Sequence, residues 1–307
     1  MRFPAWGPLC ISSAVSSRYG QAWRIPLQRP AQRSRHNDPG TTIALMLREC
    51  KAVLFDAVGT LIYPDPEVAA AYHQAGREHG SRMSLDRIVD RFRDAFSRQE
   101  DIDRNCEEVD ASAAPGSRTE PTRSTGPVRY IHSMSLERQP TSEPRERDRW
   151  RRIIQDVFED VPQADQSLFD QLWAHFGQSQ NWSLFRDVEL TWSRLIVSDR
   201  LVGIASNFDA RLSAICQKLP PLEQANAVFC SSEIGFPKPS PRFFREVESR
   251  LQMRPDEILL VGNDRENDLC GALAAGWHGL HLNRAAVYSD QSTITSLEEL
   301  LVLLAAE

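Results

Sequence analysis

From Lys51 onward the chain switches repeatedly between short apolar runs and stretches of helical spacing, and each apolar run stops at a polar residue or a glycine. The run at 52–55 ends at Asp56, and Gly59 breaks the pattern that follows. The run at 201–205 ends at Ser206, that at 258–261 ends at Gly262-Asn263-Asp264, and two more cover 228–230 and 279–282. Helical spacing fills the gaps, in a stretch that opens near Asp187 and then at 209–219, 240–252, 266–275 and 296–305. Strands joined through helices lie parallel, because only a long crossover returns the chain to the same edge direction. The expected fold class is therefore α/β, a Rossmannoid parallel sheet with helices on both faces. In such sheets ligands bind beyond the carboxyl ends of the strands, so the polar residues that stop the apolar runs are the candidates for chemistry.

Between the first strand and the rest lies a long helical stretch. Helical spacing covers 68–79 and stops at Gly80. Ser84 is a candidate N-cap for a helix with Leu85, Ile88, Val89, Phe92 and Phe96 on one face. Spacing resumes with Trp150, Ile153, Ile154, Val157 and Phe158, and again with Leu168, Phe169, Leu172, Trp173 and Phe176 after Asp165. The segment 105–148 is dominated by Ser, Thr, Pro, Arg and Glu, with five prolines, and is expected to be a disordered insertion. The expected organisation is a core of 50–66 and 187–307, interrupted just after its first strand by an all-helical unit, 67–186.

Residues 1–49 carry seven Arg, no Lys and two acids, a charge of +5 that leaves −11 for the remainder of a chain whose net charge is −6. Three readings compete for this leader: a targeting peptide, a disordered tail, or translated upstream sequence before Met46. A disordered or artefactual extension is favoured, since Pro8 interrupts the apolar stretch 6–15. No run approaches the ~18–20 apolar residues that cross a bilayer, so no membrane partner is expected. No concentrated basic surface is offered to nucleic acid. Six scattered cysteines without a CxxC pattern suit free thiols in a reducing, cytoplasmic setting. His73, His79 and His175 are isolated in the helical stretch and read as packing residues, not ligands.

Four sites fall in fixed order at strand ends: Asp56 with Gly59-Thr60-Leu61, then Ser206-Asn207, then Lys238-Pro239, then the acidic loop 262–268. Each is modest alone. An Asp after a strand is often a turn residue, and a lone Lys is usually a solvated charge. Together they resemble the haloacid dehalogenase (HAD) superfamily over about 50–104 and 146–285. The segments 206–209 and 236–241 are most similar to the group called haloacid dehalogenase-like hydrolase domain-containing protein 3. The resemblance implies that the helical unit is a small cap. It also implies a Mg²⁺-dependent phosphatase acting on a small phosphate ester, with Asp56 as nucleophile forming an aspartyl-phosphate. Thr60, Ser206, Asn207, Lys238 and Asp268 would complete the catalytic set. Asp56, the Val58 carbonyl, Asn263 and Asp264 would hold the metal.

Two positions depart from that pattern. Val58 stands where such phosphatases carry a second Asp that protonates the leaving alcohol, a loss of about 10²–10⁴-fold in typical cases. Asn263 stands where an acidic metal ligand is expected. The first reading is therefore a phosphatase with weak general-acid catalysis, suited to good leaving groups. A metal-free L-2-haloacid dehalogenase-like hydrolase is the second, and a catalytically decayed HAD fold that only binds is the third. A phosphonatase is excluded, because none of the three lysines, Lys51, Lys218 and Lys238, lies in the cap. Oligomeric state is left open by the sequence.

Overall fold

The computed structural model describes residues 47–105, 138–161, 166–289 and 291–305. Its core is a six-stranded sheet in which every pairing is parallel. β1 (Ala52–Phe55) lies between β4 (Leu201–Ser206) and β6 (Ile258–Gly262). β5 (Ala227–Cys230) flanks β4, while β7 (His278–Leu282) and β8 (Thr293–Ile294) extend the other edge. Phe55 is in register with both Ile204 and Val261, so Asp56 emerges just beyond the centre of the sheet.

Alternation along the strands feeds two apolar layers. Val53, Phe55, Val202, Ile204, Leu259 and Val261 point to one face and pack with α5 (Val188–Ile196), α6 (Arg211–Cys216) and α10 (Leu297–Ala305). Ala52, Leu54, Ala205, Ile258 and Leu260 point to the other. There they meet α8 (Pro241–Leu251) and α9 (Gly271–Ala274) through Phe243, Phe244, Val247 and Ala272. A central strand buried on both faces reads as a continuous apolar run for this reason. Between β5 and α8 lies the short helix α7 (Ser231–Ile234).

The helical stretch has a core of its own. α1 (Val68–Glu78), α2 (Leu85–Asn105), α3 (Glu143–Val157) and α4 (Gln166–His175) enclose Tyr72, Ile88, Ile153, Ile154, Val157, Phe158, Leu168, Phe169 and Leu172. Gly80, at φ +91°, ends α1 beyond its last turn, and the Ser84 hydroxyl accepts from the Arg87 N–H at the start of α2. The stretch is joined to the core by a two-stranded antiparallel ribbon, β2 (Ile62–Pro64) and β3 (Trp182–Leu184), whose three-residue strands carry too little pattern to read in the sequence.

Two expected boundaries need correction. The stretch 138–148, expected to be disordered, has no regular structure up to Ser142 and is then helical. Ser142 caps α3 by accepting from the Arg145 N–H, Pro144 occupies the first turn, and Glu143 and Glu146 favour the helix N-terminus. Local capping chemistry outweighs the polar composition there. Residues 106–137 lie outside the described residues, as does Asp165. Likewise, 1–46 lie outside them, but Leu47, expected to belong to the leader, is buried in the core layer beside Cys50. Among the described residues no helix is long and apolar enough to cross a membrane. Cys216 and Cys230 are free and buried, Cys270 is free and exposed, and Cys50 is buried.

Leu54 is fully buried at the sheet centre. Leu54→Ala is expected to lower stability by about 2–5 kcal/mol. Urea denaturation checks it, with a lower midpoint at unchanged slope.

Candidate active site

The ends of β1 and β4 and the loops before α8 and after β6 bring their polar residues to one point. Lys238 is the centre. Its side chain is only 1% exposed, and its ammonium donates to Asp56 Oδ1 at 3.0 Å, to Asp268 Oδ1 at 2.6 Å and to the Ala205 carbonyl at 2.7 Å. Those three bonds use all three donors of an ammonium. Burial alone would lower the Lys238 pKa, but the carboxylates of Asp268 and Asp56 more than offset this, and the net direction is upward. The amine is held as a cation. Burial pushes the Asp268 carboxyl up, to about 7, against the pull of Lys238.

Around this ion cluster each predicted residue has a place. The Ser206 hydroxyl donates to Asp56 Oδ1 at 2.9 Å. Asn207 grips the backbone of Lys238 at two points, donating to its carbonyl at 2.9 Å and accepting from its N–H at 2.7 Å. Thr60, fully buried, donates to Asn263 Oδ1 at 2.9 Å and accepts from the Asn263 N–H at 3.0 Å, which ties the loop after β1 to the loop after β6. Asp268 Oδ2 accepts from the Asp264 N–H at 2.9 Å. Asp264 caps a π turn, Arg265–Cys270, accepting from the N–H groups of Glu266 and Asn267 and from the Asn267 amide. Two glycines are required by these approaches. Gly59 has φ +86°, and a Cβ there would lie 2.6 Å from the Asn263 amide. A Cβ on Gly262 would lie 2.0 Å from Asp268 Oδ2.

Sequence reasoning missed several residues that hold the site. Arg284 donates to the carbonyls of Gly59 and Thr60 at 3.0 and 2.9 Å and to Asp187 Oδ1 at 2.7 Å, so it fixes the turn that follows Asp56. Nothing in its sequence surroundings signals this. Arg211 binds Asp209 through two nitrogens, donates to the Trp173 carbonyl and stacks on the Trp173 ring, 3.4 Å from its centroid. Glu266, in the π turn, pairs with Arg138 at 2.5 Å and Arg104 at 3.6 Å. The Thr141 N–H reaches the Gly235 carbonyl at 2.8 Å, and Glu143 accepts from the Ala210 N–H and the Ser232 hydroxyl. The helical unit is thereby pinned over the sheet ends.

Beneath it lies a cavity of about 340 Å³ whose lining includes Asp56, Val58, Ser206, Lys238 and Asn263 together with several aromatic side chains. Glu146 lines it as well, with burial pushing its carboxyl up and the Thr141 hydroxyl donating to it.

The family model that matches is described as haloacid dehalogenase-like hydrolase, and it spans residues 50–276. The chain belongs to this family. Relatives include haloacid dehalogenase-like hydrolase domain-containing protein 3 of Mus musculus, 32% identical over 133 residues, which are 42% of this chain and 53% of that protein. The human protein of the same name is 31% identical over 116 residues, 38% of this chain and 46% of that protein. The match thus spans about half the length of these relatives. A glyceraldehyde 3-phosphate phosphatase of Methanothermobacter thermautotrophicus is 38% identical over 67 residues, 22% of this chain and 30% of that protein. Among solved structures, a defluorinating L-2-haloacid dehalogenase superposes with TM-score 0.58 at 17% identity, covering 84% of this chain and 96% of the other. A HAD-hydrolase from Bacillus subtilis superposes with TM-score 0.57 at 15% identity, covering 83% and 99%. These two likenesses support the HAD-like fold.

Removing the Lys238 charge leaves Asp56 and Asp268 facing each other in a desolvated site. Lys238→Met is expected to cost about 3–5 kcal/mol of stability, as in other broken buried ion pairs. Adding Asp268→Asn is expected to recover part of that loss in a double-mutant cycle followed by chemical denaturation.

Proposed function

We propose that this HAD-like hydrolase is a Mg²⁺-dependent phosphatase that acts on a small phosphorylated metabolite through an aspartyl-phosphate formed on Asp56. The observation that carries the reading is the state of Asp56. One carboxylate oxygen, Oδ1, is fixed by Ser206 and Lys238, whereas among the described residues nothing donates to the other, and the residue lines the cavity. A nucleophile needs that combination of fixed direction and a free lone pair. The short likeness to a glyceraldehyde 3-phosphate phosphatase of Methanothermobacter thermautotrophicus agrees with it.

A cation beside Asp56 is part of the reading. The Lys238 ammonium is already paired with Asp56 and Asp268, so a phosphate brought against the Asp56 carboxylate would be repelled without a further positive charge between them. Among the described residues no group of three His, Cys, Asp or Glu side chains is arranged to hold a metal. The candidate donors are instead mixed but all oxygen: the carboxylates of Asp56 and Asp264, the Asn263 amide oxygen and the Val58 carbonyl, which accepts no hydrogen bond from any described residue. Hard oxygen donors of this kind fit Mg²⁺, with fewer charges than a three-carboxylate site. When bound, Mg²⁺ would neutralise charge on the nucleophile and the phosphoryl oxygens. Lys238 supplies a fixed positive field, because its N–H groups are already engaged. Ser206 and Lys238 aim the Asp56 oxygen, and the helical unit excludes water. A cytoplasmic setting is part of the proposal, in keeping with the thiols of Cys216, Cys230 and Cys270.

Hydrolysis of p-nitrophenyl phosphate in Mg²⁺ is the test. Asp56→Asn is expected to lower kcat by about 10⁴-fold or more, the scale of losing a nucleophile, and EDTA is expected to abolish turnover until Mg²⁺ is restored. Halide release from 2-chloropropionate in EDTA would replace the proposal with a metal-free dehalogenase, and silence in both assays would leave a binding protein. Val58→Asp is expected to raise turnover of alkyl phosphates by about 10²-fold, the lower end of general-acid contributions. Unchanged turnover would show that residue 58 is not the handicap.

A further inference from the structure

The chemistry of residue 58 and the composition of the cavity point to the same class of substrate. Val58 lines the cavity beside Asp56 and offers no proton. Without an acid, the leaving oxygen departs as an anion, and the barrier follows its basicity. A phenol, with a pKa near 10 like that of Tyr, leaves far more readily than an alkyl alcohol, which is about as weak an acid as water at about 15.7. The same cavity is walled by Phe92, Phe96, Trp150, Trp173, Phe176 and Phe208. All six are half-buried. They pack against apolar core, with Arg149 over Phe96 and Trp150 and Arg211 over Trp173 and Phe208, while no guanidinium lies over Phe92 or Phe176 among the described residues. Aromatic walls of this kind bind planar rings by stacking and edge contacts, and a volume of about 340 Å³ lies within the range of ordinary small-molecule sites.

We infer that the substrate is an aryl phosphate monoester, whose ring lies among these aromatic side chains while its phosphate meets Asp56 within the field of Lys238. The inference rests on the phosphatase reading above. In the first step an Asp56 carboxylate oxygen forms a bond to phosphorus, the phosphorus–aryl oxygen bond breaks, and its electron pair leaves on the aryl oxide. In the second a water oxygen bonds to phosphorus and the Asp56–phosphorus bond breaks. This returns the carboxylate and gives dihydrogen phosphate, one of whose protons passes to the aryl oxide. The products are a phenol and hydrogen phosphate.

The test uses the whole chain in Mg²⁺ with 4-nitrophenyl, phenyl, ethyl and acetyl phosphates, and adds phenylphosphonate and methylphosphonate as unreactive ligands. The expected result is a kcat/KM for phenyl phosphate at least about 100-fold above that for ethyl phosphate, and a KM for acetyl phosphate about tenfold above that for phenyl phosphate, whatever the rate its better leaving group gives. Phenylphosphonate is expected to quench tryptophan fluorescence and to inhibit at least about tenfold more tightly than methylphosphonate, the effect of one well-made aromatic contact. If the KM for acetyl phosphate matches that for phenyl phosphate, or the two phosphonates bind alike, the aromatic wall does not select the substrate and the inference fails while the phosphatase reading stands. If rates are flat from 4-nitrophenyl to ethyl phosphate, another acid such as Glu146 protonates the leaving oxygen, and the inference also fails. If no phosphate ester or anhydride is hydrolysed, the phosphatase reading fails and takes this inference with it.

Discussion

A single ammonium, buried where four chain segments converge, organises the reacting end of this molecule. Taking a charge out of water is tolerable only with close partners, and Lys238 finds three: Asp56, Asp268 and the Ala205 carbonyl. Each comes from a different part of the sheet's carboxyl edge. The requirement to satisfy that ammonium therefore fixes the ends of β1 and β4, the loop before α8 and the π turn after β6 relative to one another. Asn207, by clamping the backbone of Lys238, and Asp264, by linking to Asp268 through its own N–H, carry the constraint outward.

The helical unit is held down by contacts of the same kind. Arg211 joins the loop after β4 to Trp173, Glu266 in the π turn meets Arg138 and Arg104, and Glu143 reaches the backbone at Ala210. These ties hold the helical unit over the sheet edge, and the cavity lies between them. The core lines that cavity with Asp56, Ser206, Lys238 and Phe208, and the helical unit with Phe92, Phe96, Trp150, Trp173 and Phe176. Arg284 adds a third connection, from the strand edge at β7 to the turn at Gly59 and to Asp187. The turn after Asp56 is thus supported from below by a residue far along the chain.

Much of this was legible without coordinates. The apolar runs at 52–55, 201–205 and 258–261 announced buried parallel strands because each is covered on both faces, and the polar residues ending them marked the site. Helices with long, regular apolar spacing, such as 68–79 and 150–158, were equally plain. Failures came where the signal is short or competing. The ribbon strands of β2 and β3 hold three residues each, below any periodicity. At 138–148 the polar composition hid a helix start that Ser142, Pro144 and Glu146 encode by capping. Composition reports how much surface a segment can bury, not whether its first turn is satisfied.

The sequence by itself determined the alternating α/β core, the order of Asp56, Ser206, Lys238 and Asp268 along the chain, and the absence of an acid at residue 58, since these depend on local periodicity and residue chemistry. Only the tertiary structure decided that Lys238 spends all three of its donors inside the cluster, that Arg284 supports the Gly59 turn, and that six half-buried aromatic residues share a cavity with the Asp56 carboxylate. Those are distances between residues remote in sequence. They follow from strand register, crossover and the docking of the helical unit, which local pattern does not encode.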